Sequence, residues 1–152
     1  MDEALKLVAQ TKDEASKCEL LSKEAFDAWQ ASKVNCESAN RKRRDAWTAR
    51  SNALVNFGVM STEFAGAKLE AKKATDEHTM LLAEESVLMD RWLDSTHDAM
   101  EAWDLRDAAH DDYRAACEAY FAASLNEIMA PSAVLSSPSA SEEPAEDAGE
   151  ET

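Results

Sequence analysis

Residues 52–66, NALVNFGVMSTEFAG, decide the fold, because they hold two of the chain's three glycines and the only candidate chain reversal before the C-terminal segment. Gly58 stands where a glycine in a left-handed conformation commonly ends a helix. Ser61 or Thr62 is suited to cap the helix that follows. We therefore predict a turn at residues 58–60 in place of one continuous helix.

The composition on both sides of this turn predicts long helices. The chain has 152 residues, which is room for one domain, and its three prolines all follow residue 130. Few helix breakers and abundant Ala, Glu, Lys and Leu favour helix. We predict an all-α fold, a long antiparallel two-helix hairpin resembling a coiled coil, over residues 1–130. Its helices are predicted at residues 2–57, with Asp2 as N-cap, and at residues 61–129.

A seven-residue periodicity supports two helices that pack along their whole length. In the first helix, rows at this spacing start at Val8 and Thr11, and in the second they start at Phe64 and Ala67. In each helix one row consists mostly of small residues and the other is mixed in size. Such rows form the seam of a coiled coil, and small residues allow two helix backbones to approach closely.

The register of the hairpin follows from folding the chain at Gly58, so that the numbers of facing residues sum to roughly 121. Trp29 then faces Trp92, and Phe57 meets Phe64 beside the turn. Large residues face small ones, or aromatic residues face each other, along the rod. This complementarity is what close antiparallel packing requires.

The same register leaves two apolar stripes on the second helix without cover. Because Met1 is predicted to lie beside Tyr120, the last turns of this helix project past the first one. We name four residues there the terminal stripe: Phe121, Leu125, Ile128 and Met129. Four others form the outer stripe: Leu82, Met89, Leu93 and Met100. Uncovered stripes of this kind indicate an interaction surface, so we predict a protein partner or self-association.

The charge distribution is bipolar. The chain has a net charge of −15, yet residues 41–73 hold eight basic and three acidic residues, a net charge of +5. Folding at Gly58 brings both basic segments to the same end of the hairpin. We name seven of these residues the basic tip: Arg41, Lys42, Arg44, Arg50, Lys68, Lys72 and Lys73. The overall charge argues against nucleic acid as a partner, because neutralising phosphates needs a basic surplus.

The C-terminal segment, residues 131–152, differs in composition from the rest of the chain. Its sequence, PSAVLSSPSASEEPAEDAGEET, is rich in Ser, Pro, Ala and acidic residues and has almost no large apolar side chain. Such a segment buries too little surface to offset its ordering entropy. We predict a disordered acidic tail.

Motifs for catalysis, cofactors or metals are missing from the sequence. No nucleophile motif, glycine-rich phosphate loop or Cys/His zinc spacing is present. Asp94–His97 and Asp107–His110 have the i, i+3 spacing of di-iron ligands, but the pairs share one helix and lie roughly 220° apart around its axis. We predict no enzyme activity, no cofactor and no metal site.

The cysteines and the N-terminal sequence indicate the cellular compartment in which the protein is expected. Cys18, Cys36 and Cys117 are widely spaced and odd in number, which favours small apolar fillers in a reducing compartment. The start MDEALKLVAQ lacks the basic and apolar regions of a signal peptide. No window approaches about 18 uncharged apolar residues, so no transmembrane segment is predicted. The expected location is intracellular, in the cytoplasm.

These observations predict a non-enzymatic structural or adaptor protein that docks into a larger assembly through its apolar helix faces and basic tip. A cytoskeletal, ciliary or virion-like assembly suits a rigid spacer of this length, and the sequence does not choose among them. One alternative is peripheral binding of an anionic polymer or membrane surface by the tip. Another is an acidic chaperone for a basic client that uses the tail.

Overall fold

Two long helices make up the fold. The structure is a computed structural model that describes residues 1–130, with α1 at Asp2–Phe57 and α2 at Thr62–Met129. The helices pack against each other along their length as an antiparallel hairpin. This confirms the predicted fold class. The prediction of a disordered tail concerns residues 131–152, which lie outside the described residues.

The turn depends on Gly58 and Ser61. Gly58 has φ 84° and ψ 164°, so its φ is positive as predicted, but its ψ is extended instead of left-handed helical. This region is accessible essentially to glycine alone. The Ser61 hydroxyl donates to the Gly58 carbonyl oxygen (2.8 Å) and accepts from the Phe64 N–H (3.1 Å). One side chain therefore closes the turn and caps α2.

The start of α1 differs from the prediction. Met1 occupies the N-cap position without a side-chain cap, and Asp2 is the first helical residue. The carboxylates of Asp2 and Glu3 lie in the first turn, where they interact favourably with the helix dipole. Asp2 therefore stabilises the helix through its charge and does not act as an N-cap.

Small side chains line the seam between the helices. Within residues 1–130, ten residues are buried, and all of them belong to the predicted seven-residue rows. Seven are alanines, and the others are one serine, one cysteine and one phenylalanine: Ala15, Ala25, Ser32, Cys36, Ala39, Ala53, Phe64, Ala71, Ala99 and Ala109. Because alanine has a single methyl group, the backbones approach closely and the core stays narrow.

An aromatic cluster at mid-length fixes the register. The rings of Trp29 and Trp92 are stacked, with centroids 5.0 Å apart and planes 4° apart, which confirms their predicted pairing. Phe26 packs at a tilt against both rings, at 5.7 Å and 5.2 Å. A hydrogen bond between the Ser22 and Thr96 hydroxyls (2.9 Å) crosses the seam nearby.

The register departs slightly from the prediction at the two ends. Near the turn, Phe64 is buried, but Phe57 is 59% exposed and the Arg50 guanidinium lies over the Phe64 ring instead. A seven-residue row drifts about 20° per heptad around a straight helix, and Phe57 is the last member of its row. At the other end, Met1 contacts Cys117, within one helical turn of the predicted Tyr120.

Candidate docking surfaces

The outer stripe is exposed along α2. Leu82, Met89, Leu93 and Met100 leave between 42% and 64% of their surface open. From the first to the last, the stripe is about 27 Å long, since a helix rises 1.5 Å per residue. The structure thus places these four predicted residues on one uncovered helix face.

The terminal stripe lies where α2 has no partner helix. Met1 reaches Cys117, so the last turns of α2 extend beyond the start of α1. On average the side chains there are more exposed than those of the outer stripe, and their values run from 56% to 74%: Phe121, Leu125, Ile128 and Met129. This arrangement leaves the apolar face of a helix end exposed.

The basic tip divides into separate groups. Arg50, Lys68 and Lys72 line one groove of about 470 Å³, which we name the basic groove. Arg41 and Arg44 line a second hollow, on the far side of α1. The structure therefore brings only part of the predicted basic set together.

Acidic neighbours partly neutralise the remaining tip residues. Lys42 shares a third hollow with Glu77. Lys73 forms an ion pair with Glu70, at 3.0 Å between Nζ and Oε1. These carboxylates offset part of the positive charge of the two lysines.

The basic groove combines cations with apolar walls. Trp47 and Leu69 lie beside its three basic residues, and one acidic residue, Asp76, also lines it. The Arg50 guanidinium carbon lies 4.5 Å from the centre of the Trp47 ring, which holds this cation through cation–π attraction. The Trp47 indole N–H in turn donates to the Thr75 hydroxyl (3.1 Å), across the two helices. These two contacts hold the Trp47 and Arg50 side chains in the wall of the groove.

Sequence reasoning missed a third apolar surface, at the turn itself. We name it the apex: Val55, Phe57, Val59 and Met60 are 84%, 59%, 65% and 94% exposed. The available signal was the presence of Val59 and Met60 in a short turn, where Gly, Pro, Asn, Asp and Ser are usual.

The histidines show no grouping that would bind a metal ion. His97 pairs with Glu101, at 3.3 Å, and not with Asp94 of the i, i+3 motif. Among residues 1–130, no cluster of three or more His, Cys, Asp or Glu side chains is arranged to hold a metal ion.

Cys36 is the one cysteine buried in the described seam. Burial raises the pKa of the Cys36 thiol, and a hydrogen bond with the Glu85 carboxylate and its negative charge raise it further. The thiolate fraction near neutral pH is therefore smaller than for an ordinary cysteine.

Replacing Glu85 with Gln is expected to accelerate alkylation of Cys36. In a Cys18→Ser/Cys117→Ser background, iodoacetamide should modify Cys36 slowly, and the rate should rise towards alkaline pH as the raised pKa is approached. Glu85→Gln removes the negative charge, which lowers the pKa and shifts this rise to lower pH. Circular dichroism controls for helix loss, and an unchanged pH profile at equal helicity would contradict the assigned role of Glu85.

Neither described helix is apolar enough over a sufficient length to cross a bilayer. No protein-family model, curated protein or solved structure matches the chain. Interpretation of the surfaces therefore depends on their geometry and charge.

Proposed function

We propose that the protein is a non-enzymatic structural or adaptor protein, a rigid hairpin that docks into a larger assembly. The observation that carries this proposal is the terminal stripe, a row of large apolar side chains on a helix end that α1 does not cover. Burying one such side chain contributes about 1.5–3 kcal/mol. Four of them on one face provide a binding surface from a single helix.

The outer stripe extends this docking surface towards the middle of the rod. α2 has 68 residues and is therefore about 100 Å long. Contacts at separate points along such a rod would fix its direction within an assembly, as a spacer requires. A cytoskeletal, ciliary or virion-like assembly has use for such a spacer.

The basic tip is proposed to contact an acidic protein surface. Residues 1–40 and 74–130 have a net charge of −14, so the body of a neighbouring copy offers one such surface. Charge complementarity of this kind orients partners and accelerates their encounter more than it adds affinity.

Leu125→Glu/Ile128→Glu is expected to lower the mass measured by light scattering if the docking partner is a second copy. Two carboxylates in the terminal stripe would have to be desolvated on association, which is unfavourable. Val34→Glu/Leu105→Glu is the matched control, because both residues are similarly exposed and lie outside the two stripes. Equal monomer masses for parent and variant at equal helicity would rule out self-association through this end and leave a foreign partner.

A second candidate function is peripheral binding of an anionic polymer or membrane surface by the tip. It is favoured by the basic groove, in which three cations lie beside apolar walls at one end of an acidic rod. Binding of this type weakens steeply with ionic strength, whereas docking through apolar stripes does not.

A further inference from the structure

The two turn residues of the apex, Val59 and Met60, contribute little to holding the hairpin together. The turn is stabilised by the Gly58 backbone and by the two hydrogen bonds of the Ser61 hydroxyl. Val59 and Met60 are 65% and 94% exposed, so neither packs against the seam. Polar residues would serve the turn equally well. The apolar character of the apex is therefore available for binding.

We propose that the apex inserts into the surface of an anionic lipid bilayer while the basic groove contacts the lipid phosphates. This inference rests on the second candidate function, membrane binding by the tip, and deepens it by adding the apex to the basic groove. The apex is the convex end of a two-helix rod. A fluid bilayer accepts a convex apolar end without a preformed pocket, whereas a protein partner would need a matching cavity.

The spacing of the cations agrees with the depth of a lipid headgroup layer. Arg50 precedes Gly58 by eight residues and Lys68 follows Ser61 by seven, which places their backbones about 10–12 Å from the turn. Interfacial apolar side chains are buried about 5–10 Å into the headgroup and acyl boundary. Arg50 and Lys68 would then lie at the level of the phosphates. Lys72 lies one turn further, within a Debye length of about 8 Å.

The charge of the body would orient the rod. The body, residues 1–40 and 74–130, holds 22 acidic and eight basic residues, and its net charge of −14 is repelled by anionic lipids. The apex is joined to the region with a net charge of +5. A rod with this distribution approaches an anionic surface with its apex first and keeps both apolar stripes in solution.

Glu63 opposes this arrangement. It is exposed in the first turn of α2, three residues after Met60, and its carboxylate accepts a hydrogen bond from the Thr62 hydroxyl (3.2 Å). Its negative charge would lie close to the lipid phosphates. Removing that charge should therefore strengthen binding, which is an effect opposite in sign to that of the other substitutions.

The test is co-sedimentation of the full chain with phosphatidylcholine vesicles that contain or lack phosphatidylserine. We expect binding to the phosphatidylserine vesicles that weakens as salt is added. Val59→Glu/Met60→Glu should reduce it about tenfold or more, because charged side chains do not insert. Leu125→Glu/Ile128→Glu, with the same charge change at the opposite end, should leave it unchanged. Glu63→Gln should increase it.

Three results would overturn the proposal. The first is no sedimentation with phosphatidylserine vesicles at low ionic strength, and the second is an equal loss of vesicle binding in the two double variants. The third is binding to polyuridylate without binding to vesicles. The last would assign the basic groove to an anionic polymer. Unchanged vesicle binding by Val59→Glu/Met60→Glu would also reject insertion and leave the apex to a protein partner. Light scattering of Leu125→Glu/Ile128→Glu tests docking through the terminal stripe in a separate experiment. Failure of the membrane proposal therefore leaves the docking proposal unaffected, and the reverse also holds.

Discussion

Gly58→Ala/Ser61→Ala is expected to open the hairpin and double the molecular mass relative to the parent. Alanine at Gly58 has room for its Cβ, but it cannot readily adopt φ 84° with an extended ψ, a strain of about 1–3 kcal/mol. Loss of the Ser61 cap costs about 1 kcal/mol more. One continuous helix through residues 58–61 avoids both costs.

Two such continuous helices would recover the contacts of the seam. In an antiparallel dimer, α1 of one copy packs against α2 of the other with the same pairs of residues, including Trp29 with Trp92. The rod would lengthen from about 100 Å to about 190 Å. Light scattering measures the mass, and small-angle X-ray scattering measures the length.

Gly66→Ala is the matched control for this experiment. Gly66 lies inside α2, and a Cβ there would meet no other atom within 4 Å. Alanine should therefore stabilise the helix by about 0.5–1 kcal/mol without changing the mass. A double variant at Gly58 and Ser61 that keeps the mass of its parent would show that other contacts determine the turn.

Trp92→Ala is expected to lower the free energy of unfolding by about 2–3 kcal/mol. Trp92 stacks on Trp29 and packs against Phe26, and it contributes the α2 side of the only aromatic cluster in the described part of the chain. The expected loss of unfolding free energy is smaller than that for a fully buried tryptophan, because Trp92 is half-buried. Urea denaturation followed by circular dichroism measures the change.

Trp47→Ala provides the comparison. Trp47 is 42% exposed and lies near the tip, where its ring contacts Arg50 and its N–H donates to Thr75. Its removal should cost clearly less than removal of Trp92. In Trp29→Ala/Trp92→Ala the two losses should not add, since both variants break the same stack. Equal losses of unfolding free energy in Trp47→Ala and Trp92→Ala would mean that the mid-length cluster stabilises the hairpin no more than the contacts near the tip do.

The fold could be predicted from the sequence because its determinants are local and periodic. The absence of proline before residue 131, the glycine at residue 58 and the seven-residue rows each indicate long paired helices. The pairing of Trp29 with Trp92 followed from matching large and small residues. Periodicity does not specify the cap of α1 or the exposure of Phe57, because these depend on the rotation of the helix ends.

The candidate surfaces were less predictable than the fold. Both stripes followed from counting apolar residues that the seam could not cover. The basic tip was identified from charge alone, and charge does not reveal that Arg50 is held against Trp47 while Lys73 pairs with Glu70. These differences depend on where the side chains lie around the two helix axes. Counting charged residues along the sequence does not give that information.

The aromatic cluster has a mechanical consequence. Trp29 lies halfway along α1, and the buried residues between the cluster and the open end of the hairpin are all alanines. When a load separates the two chain ends at the open end of the hairpin, the arms unzip easily until the separation reaches the stacked rings. The cluster then resists further separation of the helices. The half of the rod that carries the turn therefore stays paired while the other half opens.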